Sequence, residues 1–250
     1  MKVSIILPTF NERENIRVLI PSIGEVMRKA GLEYEIVVVD DNSPDGTAEE
    51  AVKLSNIYPV RVVRRPGKMG LSSAVYEGVK HSTGDVIVVM DADLQHPPEY
   101  IPVLVKRIQE GCDITVASRY VKGGRVEGFP VIRQLVSKAS IFLAHMLVRG
   151  SRRVRDAVSG FFAARKSILQ YWRLVEPRGY KVLVEILAEV EDARVCEEPF
   201  TFKGRASGSS KLSSRVILSY VRMLYKLNAR LFLLYLTVVL LALLLLLLAL

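Results

Sequence analysis

The sequence predicts an α/β fold in which helices cover a parallel sheet, and two features of its first half support this. Apolar runs rich in Val and Ile alternate with amphipathic helical segments. These runs lack polar alternation, which is typical of strands that are buried on both faces. We expect strands at 3–7, 36–39, 60–63, 86–90 and 114–117, with helices near 12–30, 45–56, 71–81 and 98–110.

Polar clusters follow three of these strands, at the point where each strand ends. They are Pro8-Thr9-Phe10-Asn11-Glu12, Asp40-Asp41-Asn42-Ser43 and Asp91-Ala92-Asp93. Ligands of parallel α/β sheets bind beyond the carboxyl ends of the strands, so we expect the clusters to gather along one edge. A structural role is the alternative for the first two clusters: Asn11 with Glu14 fits a helix capping box, and residues 40–47 fit a turn.

The third cluster indicates a metal site. A buried strand ends in Asp91 and Asp93, and two aspartates that have lost water repel each other unless a cation is present. Hard oxygen ligands at close range suit Mg²⁺ or Mn²⁺. The alternative is an Asp-rich turn that caps the helix starting near Pro97.

Charge and apolar content divide the rest of the chain. The net charge is +9, yet residues 1–118 hold 13 basic and 17 acidic side chains, whereas residues 119–230 hold 22 and 9. Residues 231–250 contain no charge, Gly or Pro. Twenty helical residues span roughly 30 Å, so a transmembrane helix is expected there. The basic segment before it predicts a membrane location in which the globular part is cytoplasmic.

Two amphipathic basic helices are predicted before that span, at 131–148 and 213–230. Apolar faces with basic flanks favour helices that lie in the membrane interface. The alternative is that both helices pack on the sheet and their basic residues form a solvated face. The expected organisation is an α/β domain over 1–212 that includes the first of these helices, an interface helix over 213–230 and a transmembrane helix over 231–250.

Several function classes are excluded by missing sequence features. The chain has no phosphate-binding G-x-x-x-x-G-K-[ST] motif, no G-x-G-x-x-G after the first strand and no G-x-S-x-G nucleophile motif. It also lacks a recognition helix or aromatic stacking motif for nucleic acid. Cys112 and Cys196 are expected to be buried, reduced thiols, and the three histidines show no metal-ligand spacing.

Seven motifs, in order over about residues 1–215, resemble glycosyltransferase family two, and within it the polyprenyl-phosphate glycosyltransferases of the dolichol-phosphate mannose synthase type. The motifs are Pro8-Thr-Phe-Asn-Glu-Arg13, Val39-Asp-Asp-Asn-Ser-Pro-Asp-Gly-Thr47, Met90-Asp-Ala-Asp-Leu-Gln-His-Pro-Pro98, Ser118-Arg-Tyr120, Val158-Ser-Gly-Phe-Phe162, Gly179-Tyr-Lys-Val-Leu-Val-Glu185 and Phe202…Arg205…Gly208-Ser-Ser-Lys-Leu212. Phe10 stands where many relatives have Tyr, and Ala157 stands where Pro is common.

The resemblance implies a GT-A fold and assigns roles to the matching positions. A nucleotide-sugar would contact Pro8, Phe10, Glu12, Val39, Asp41 and Ala92, and, in the last two motifs, Lys181, Arg205 and Lys211. Asp91, Asp93 and Gln95 would hold the divalent metal, and Asp91 and Asp93 would also contact the donor. Arg119, Arg133 and Ser137 would bind the phosphate of the acceptor lipid. Asp91, Asp93, Gln95, Arg119 and Arg133 form the expected catalytic set.

The resemblance also implies a reaction: metal-dependent, inverting transfer of mannose from GDP-mannose to a dolichyl or other polyprenyl phosphate at the cytoplasmic membrane face. An acceptor phosphate with a second pKa of about 6 is largely dianionic at neutral pH, so no dedicated general base is expected. Two alternatives remain. One is a UDP-glucose-dependent transferase with the same type of acceptor, and the other is a non-catalytic nucleotide-binding membrane scaffold.

Overall fold

A computed structural model describes residues 1–128, 130–203 and 214–248. Its strands are β1 Lys2–Thr9, β2 Glu33–Asp40, β3 Val60–Arg64, β4 Val86–Val89, β5 Ile114–Ser118, β6 Arg125–Val126, β7 Phe162–Arg165, β8 Val195–Pro199 and β9 Thr201–Phe202. Its helices are α1 Arg13–Lys29, α2 Thr47–Leu54, α3 Leu71–His81, α4 Ile101–Gln109, α5 Val131–Leu147, α6 Lys166–Leu169, α7 Val182–Glu189, α8 Ser214–Leu227 and α9 Ala229–Leu248. The predicted site residues Arg205 and Lys211 lie outside the described residues.

The main sheet has the strand order β3-β2-β1-β4-β7-β5-β8 within the described part of the chain. Strands β3, β2, β1 and β4 run parallel, as the sequence predicts. Strand β7 is antiparallel to both β4 and β5, so the sheet is mixed rather than parallel. The prediction failed here because β7 is only four residues long and its Phe-Ala-Ala-Arg sequence carries no periodic signal.

Helices cover both faces of this sheet and create two apolar layers. One layer packs α1 and α4 against the sheet through residues such as Ile20 and Leu104. The other packs α3, α5, α7 and α8 on the opposite face, and Met223 of α8 is fully buried in it. Helices α5 and α8 therefore contribute to this apolar layer and contact each other, while several of their apolar side chains stay exposed.

The carboxyl-terminal helix α9 begins at Ala229. The side chain of Asn228, the residue before it, accepts a hydrogen bond from the backbone N–H of Leu231. Over the residues that the structure describes, no helix combines the length and the apolar character needed to cross a bilayer. The transmembrane helix predicted for 231–250 is therefore not found in that part of the chain.

Cys112 and Cys196 form a disulfide, which corrects the prediction of two reduced thiols. Cys112 lies just before β5, and Cys196 lies in β8, the neighbouring parallel strand. Their Cα atoms are 6.1 Å apart, within the usual range for a disulfide. The sequence could not reveal the pair because the two cysteines are 84 positions apart and are brought together only by the strand order.

Candidate active site

The carboxyl edge of the sheet carries the three polar clusters, as predicted. Strand β1 lies between β2 and β4, and all three strands point the same way, so their carboxyl ends are adjacent. Asn11, Asn42 and Leu94 follow these three strands, and among the described residues they are the non-glycine residues with positive φ. A left-handed backbone is unfavourable for a residue such as Leu, so strain is concentrated at this edge.

The loop between β2 and α2 braces the start of α1. Ser43 Oγ accepts the backbone N–H of Asn11 at 2.9 Å, and Thr47 Oγ1 accepts that of Glu12 at 3.0 Å. Asp45 Oδ2 accepts the next N–H, from Arg13, at 3.1 Å. The predicted capping box of Asn11 and Glu14 is therefore wrong, because side chains from another loop satisfy these groups. Much of the second polar cluster therefore has a structural role, which was the alternative to ligand binding for residues 40–47.

Asp41 anchors a different segment, residues 65–70. Its Oδ1 accepts a hydrogen bond from Arg65 Nε at 2.5 Å, and its Oδ2 accepts the backbone N–H of Met69 at 3.1 Å. Arg65 is buried and also donates to the carbonyl of Gly70 at 2.9 Å. In this arrangement Lys68 Nζ lies 4.1 Å from the centre of the Phe10 ring, over the face expected to stack on the nucleoside.

The other predicted nucleoside contacts differ in accessibility. Pro8 is partly buried in β1, beside Val39 of β2. The Val39 side chain is fully buried in the apolar core, so a ligand at this edge would meet its backbone. Glu12 is largely buried, and its Oε2 accepts a hydrogen bond from Asn15 at 2.5 Å. Ala92 is also buried.

The segment after β4 forms a compact turn around the predicted metal ligands. His96 Nδ1 accepts the backbone N–H of Asp91 at 2.9 Å, and Asp93 Oδ1 accepts that of Gln95 at 3.3 Å. Gln95 Nε2 donates to the carbonyl of Lys203 at 2.9 Å, and Oε1 is the atom of this amide that suits a cation. The turn thus places two carboxylates and an amide in one short segment.

The buried ring of His96 supports this turn from the protein interior. Its ring stacks on Phe161, with centroids 5.1 Å apart, and meets Phe200 and Phe202 edge to face. Burial lowers the pKa of His96 to about 4, against a smaller opposite effect of Asp93, so the ring is neutral near pH 7. A neutral ring retains the Nδ1 acceptor that holds Asp91. The spacing of the histidines in the sequence gives no signal for this role, because the ring acts through one local backbone hydrogen bond.

The Val158-Ser-Gly-Phe-Phe162 segment approaches the turn from the antiparallel strand β7. A Cβ atom on Gly160 would lie 3.4 Å from Asp91 Oδ2 and 3.5 Å from the His96 ring. These are ordinary van der Waals distances, so the segment packs directly against the Asp91 carboxylate and the His96 ring. Ser159 Oγ donates to the carbonyl of Ala117 at 2.8 Å and fixes the segment to β5.

Arg119, a predicted acceptor-phosphate residue, pairs with the fully buried Asp156. Nε and Nη2 of Arg119 each donate to one carboxylate oxygen at 2.7 Å. Breaking such a buried pair leaves an uncompensated charge, so the fork fixes the guanidinium strongly. Asp156 is a further site residue that the sequence analysis did not single out, although it lies two residues before a quoted motif.

Ser137 and Arg133 reach the same region from α5. The Tyr120 hydroxyl donates to Ser137 Oγ at 3.0 Å, which places this serine beside the residue that follows Arg119. Lys181 Nζ donates to the carbonyl of Val158 at 3.3 Å. Desolvation, followed by the positive charges of Arg119 and Arg133, lowers the pKa of Lys181 to about 8. The fold thus brings together the basic residues Arg119, Arg133 and Lys181 from three separate segments.

The chain matches known proteins over most of its length. Residues 4–172 match the family model described as "Glycosyl transferase family 2". The chain belongs to this family. It is therefore a glycosyltransferase, and its α/β domain has the GT-A fold that the resemblance implied.

Curated members of the family are similar to the chain to different degrees. The dolichol-phosphate mannosyltransferase of Pyrococcus furiosus is 52% identical over 91% of this chain and 64% of its own length. That of Saccharomyces cerevisiae is 37% identical over 90% of this chain and 86% of its own length. The chain thus spans somewhat less than two thirds of the Pyrococcus relative.

Solved structures of the same fold include glucosyl-3-phosphoglycerate synthase from Mycobacterium tuberculosis, in complex with Mn²⁺, UDP and glucosyl-3-phosphoglycerate. Its TM-score is 0.68 at 24% identity, over 91% of this chain and 80% of that one. The same synthase with phosphoglyceric acid alone gives a TM-score of 0.68 at 22% identity. At this identity the likeness concerns the fold.

The donor set at the turn suits a hard divalent cation. Asp91 and Asp93 supply carboxylate oxygens and Gln95 supplies an amide oxygen, which are the ligands Mg²⁺ and Mn²⁺ prefer. Among the described residues, no group of three or more His, Cys, Asp and Glu side chains is arranged to hold a metal.

Proposed function

We propose that the chain transfers mannose from GDP-mannose to a dolichyl or related polyprenyl phosphate, with inversion. The observation that carries this proposal is the meeting of two sets of residues at one sheet edge. The first is the carboxylate turn of Asp91 and Asp93, which suits a metal-bound diphosphate. The second is Arg119, held by Asp156, which suits an anionic acceptor, and the donor-side residue Lys181 lies close to it. The similarity to two dolichol-phosphate mannosyltransferases supports the choice of sugar and lipid.

A divalent cation held by Asp91, Asp93 and Gln95 would stabilise the negative charge that develops on the leaving diphosphate. The chain's own residues supply the remaining functions. Arg119, fixed by Asp156, retains Nη1 to orient one oxygen of the acceptor phosphate. Lys181 adds positive charge from the side of α7. Since the acceptor is already ionised, orientation of the nucleophile matters more than proton removal.

The acceptor is a long isoprenoid lipid, so we further propose that the protein binds the membrane surface through α5 and α8. Ile132 and Phe142 on α5 are 73% and 63% exposed, and Leu218 on α8 is 59% exposed. Tyr220 of α8 donates to the carbonyl of Ser140 on α5 at 2.6 Å, so the two helices form one surface. Exposed apolar side chains on basic helices favour the interface with anionic lipids. Location on the cytoplasmic leaflet stays a prediction.

The reaction is tested with purified protein, a polyprenyl phosphate, and labelled GDP-mannose or UDP-glucose, each with Mn²⁺, Mg²⁺ or EDTA. Metal-dependent transfer of label to lipid from GDP-mannose is the expected result. Transfer from UDP-glucose alone would support the proposed acceptor but show that the donor is UDP-glucose and not GDP-mannose. Metal-dependent nucleotide binding without any transfer would contradict the enzymatic proposal and favour a scaffold.

The membrane proposal is tested by co-sedimentation with vesicles that contain anionic lipid. Phe142→Glu combined with Leu218→Glu should weaken vesicle binding about tenfold or more, because each change places a charge on the docking surface. Val18→Glu is the matched control, since Val18 is 58% exposed on α1, away from these helices. Equal losses in both variants would contradict the assignment of the surface.

A further inference from the structure

The loop at residues 175–180 joins the sugar-nucleotide side of the site to helix α7. Its carbonyls at Gly179 and Pro177 accept the backbone N–H groups of Ser72 and Ser73, at 3.0 and 3.1 Å. A Cβ on Gly70 would lie 2.6 Å from the carbonyl oxygen of Pro177, so the backbones are in close contact. The loop therefore sets the position of the first turn of α3.

That first turn in turn fixes the segment that faces the nucleoside site. Arg65 donates to Ser73 Oγ at 2.7 Å and to the carbonyl of Gly70 at 2.9 Å. The same arginine pairs with Asp41, and Lys68 lies over Phe10. A shift of the loop would move the turn, and with it the residues expected to contact the nucleoside.

Glu185 holds this loop from inside the protein. Its side chain is fully buried on α7, and Oε2 accepts the backbone N–H of Val175 at 3.2 Å and Trp172 Nε1–H at 3.4 Å. The residue lies one helical turn after Lys181, which directly precedes α7. A buried carboxyl is costly in free energy, and packing alone would be served better by an apolar side chain.

The opposite side of the loop is held by α8. Lys226 Nζ donates to Glu176 Oε2 at 2.9 Å and to the carbonyl of Val175 at 3.2 Å. Glu176 is only 5% exposed. The loop is therefore fixed between a helix that we assign to the membrane surface and a carboxyl beside the active site.

We propose that Glu185 is a positioning residue for the sugar nucleotide. It acts through the 175–180 loop, which aligns the first turn of α3, and through α7, which presents Lys181. The proposal rests on the proposed function, because it assigns donor binding to this side of the site. It differs from the roles of the acceptor residues, which lie on β5, α5 and the segment before β7.

The test compares Glu185→Ala and Glu185→Gln in the full chain. Glu185→Ala leaves the N–H of Val175 without its acceptor, so the KM for the sugar nucleotide should rise about tenfold. The KM for the lipid phosphate should stay within about twofold. Glu185→Gln keeps an acceptor oxygen and should restore most of the donor affinity. Glu189→Gln is the matched control, since Glu189 lies one turn later and pairs with the exposed Arg173.

A second variant reaches the same loop without changing Glu185. A Cβ in Gly179→Ala would lie 2.8 Å from the carbonyl of Glu176 and 3.1 Å from Glu185 Oε1. Gly179→Ala should raise the KM for the sugar nucleotide and leave that for the lipid phosphate nearly unchanged. This variant tests the proposal even if Glu185→Ala does not fold. Unchanged donor KM in the folded variants, or equal changes for donor and acceptor, would overturn the proposal.

Binding of GDP with Mn²⁺, measured by calorimetry, separates this proposal from the proposed function. Weaker GDP binding in Glu185→Ala, with no transfer of mannose by any form, would support the positioning role and reject the reaction. Mannose transfer by the wild type, with unchanged GDP binding in the variants, would support the reaction and reject the positioning role of Glu185.

Discussion

Asp156 holds Arg119 at both ends of its carboxylate, and one of the same oxygens also accepts the backbone N–H of Arg119 at 3.1 Å. The carboxylate is fully buried, and both of its oxygens are engaged by Arg119. The pair therefore holds a rigid guanidinium at the place where we propose that the acceptor phosphate binds.

Asp156→Asn should therefore impair use of the acceptor. Loss of one charged oxygen weakens the fork, and kcat/KM for the lipid phosphate should fall at least about tenfold. Donor binding should change less than about twofold. Initial rates at varied lipid phosphate and varied sugar nucleotide separate the two effects. Asp192→Asn, at an exposed position, is the control, and a selective loss of donor affinity in Asp156→Asn would contradict this role.

Asp93→Ala should abolish both turnover and metal-dependent nucleotide binding. Removing one carboxylate from a site with so few protein ligands leaves too little charge to hold the cation. Asp85→Asn is the matched control, since Asp85 precedes the same strand β4 at the opposite edge and accepts the N–H of Lys2. Turnover at the wild-type rate in Asp93→Ala would remove the metal hypothesis.

Protonation of Glu185 should also make the free energy of unfolding depend on pH. Desolvation raises its pKa from 4.5 to about 7, and the groups that oppose this shift are neutral donors: Val175, Trp172, Glu176 through its backbone, and Ser72. Because the folded state binds the proton more tightly, this contribution to stability is present below pH 4.5. It is lost as pH rises toward 7.

The size of this effect is of the order of 3 kcal/mol. Urea unfolding of the wild type and Glu185→Gln from pH 4.5 to 8 measures it, because the variant cannot titrate at this position. The stability of the wild type relative to the variant should fall over that range. A difference between the two proteins that does not change with pH would show that Glu185 titrates normally.

Reduction of the Cys112–Cys196 disulfide should lower stability without changing substrate affinity. A crosslink that closes a loop of 84 residues restricts the unfolded chain and typically contributes about 2–4 kcal/mol. The double variant Cys112→Ala with Cys196→Ala should match the reduced wild type in thermal unfolding. If reductant changed the melting temperature of this double variant as well, the disulfide would not be the cause.

The strands of the first half were predictable because long Val- and Ile-rich runs encode them directly. The gathering of Asp41 and Asp91 at one edge followed from parallel strand direction alone. In contrast, β7 and the disulfide depend on the order of strands in the sheet, which no local pattern carries.

Partners of the site residues were harder to predict than the residues themselves. Arg119 was expected at the site, but Asp156 lies 37 positions later and meets it only because β7 returns beside β5. His96 and Arg65 act on Asp91 and Asp41 through hydrogen bonds that leave no spacing signal. Sequence motifs thus predicted a set of candidate substrate-binding groups, whereas the contacts that support these groups are apparent only in the folded structure.

The return of β7 beside β5 has a consequence for how such enzymes diversify. Residues 119–161 leave the sheet at the end of β5 and re-enter it at the adjacent strand. Arg119, Arg133, Ser137 and Asp156 all belong to this one excursion, whereas the turn at 91–95 and the first two polar clusters precede it. The residues that we propose bind the acceptor are therefore encoded in one contiguous segment. A change of acceptor could then arise by exchange of this segment, while the sheet and the polar clusters before it stay the same.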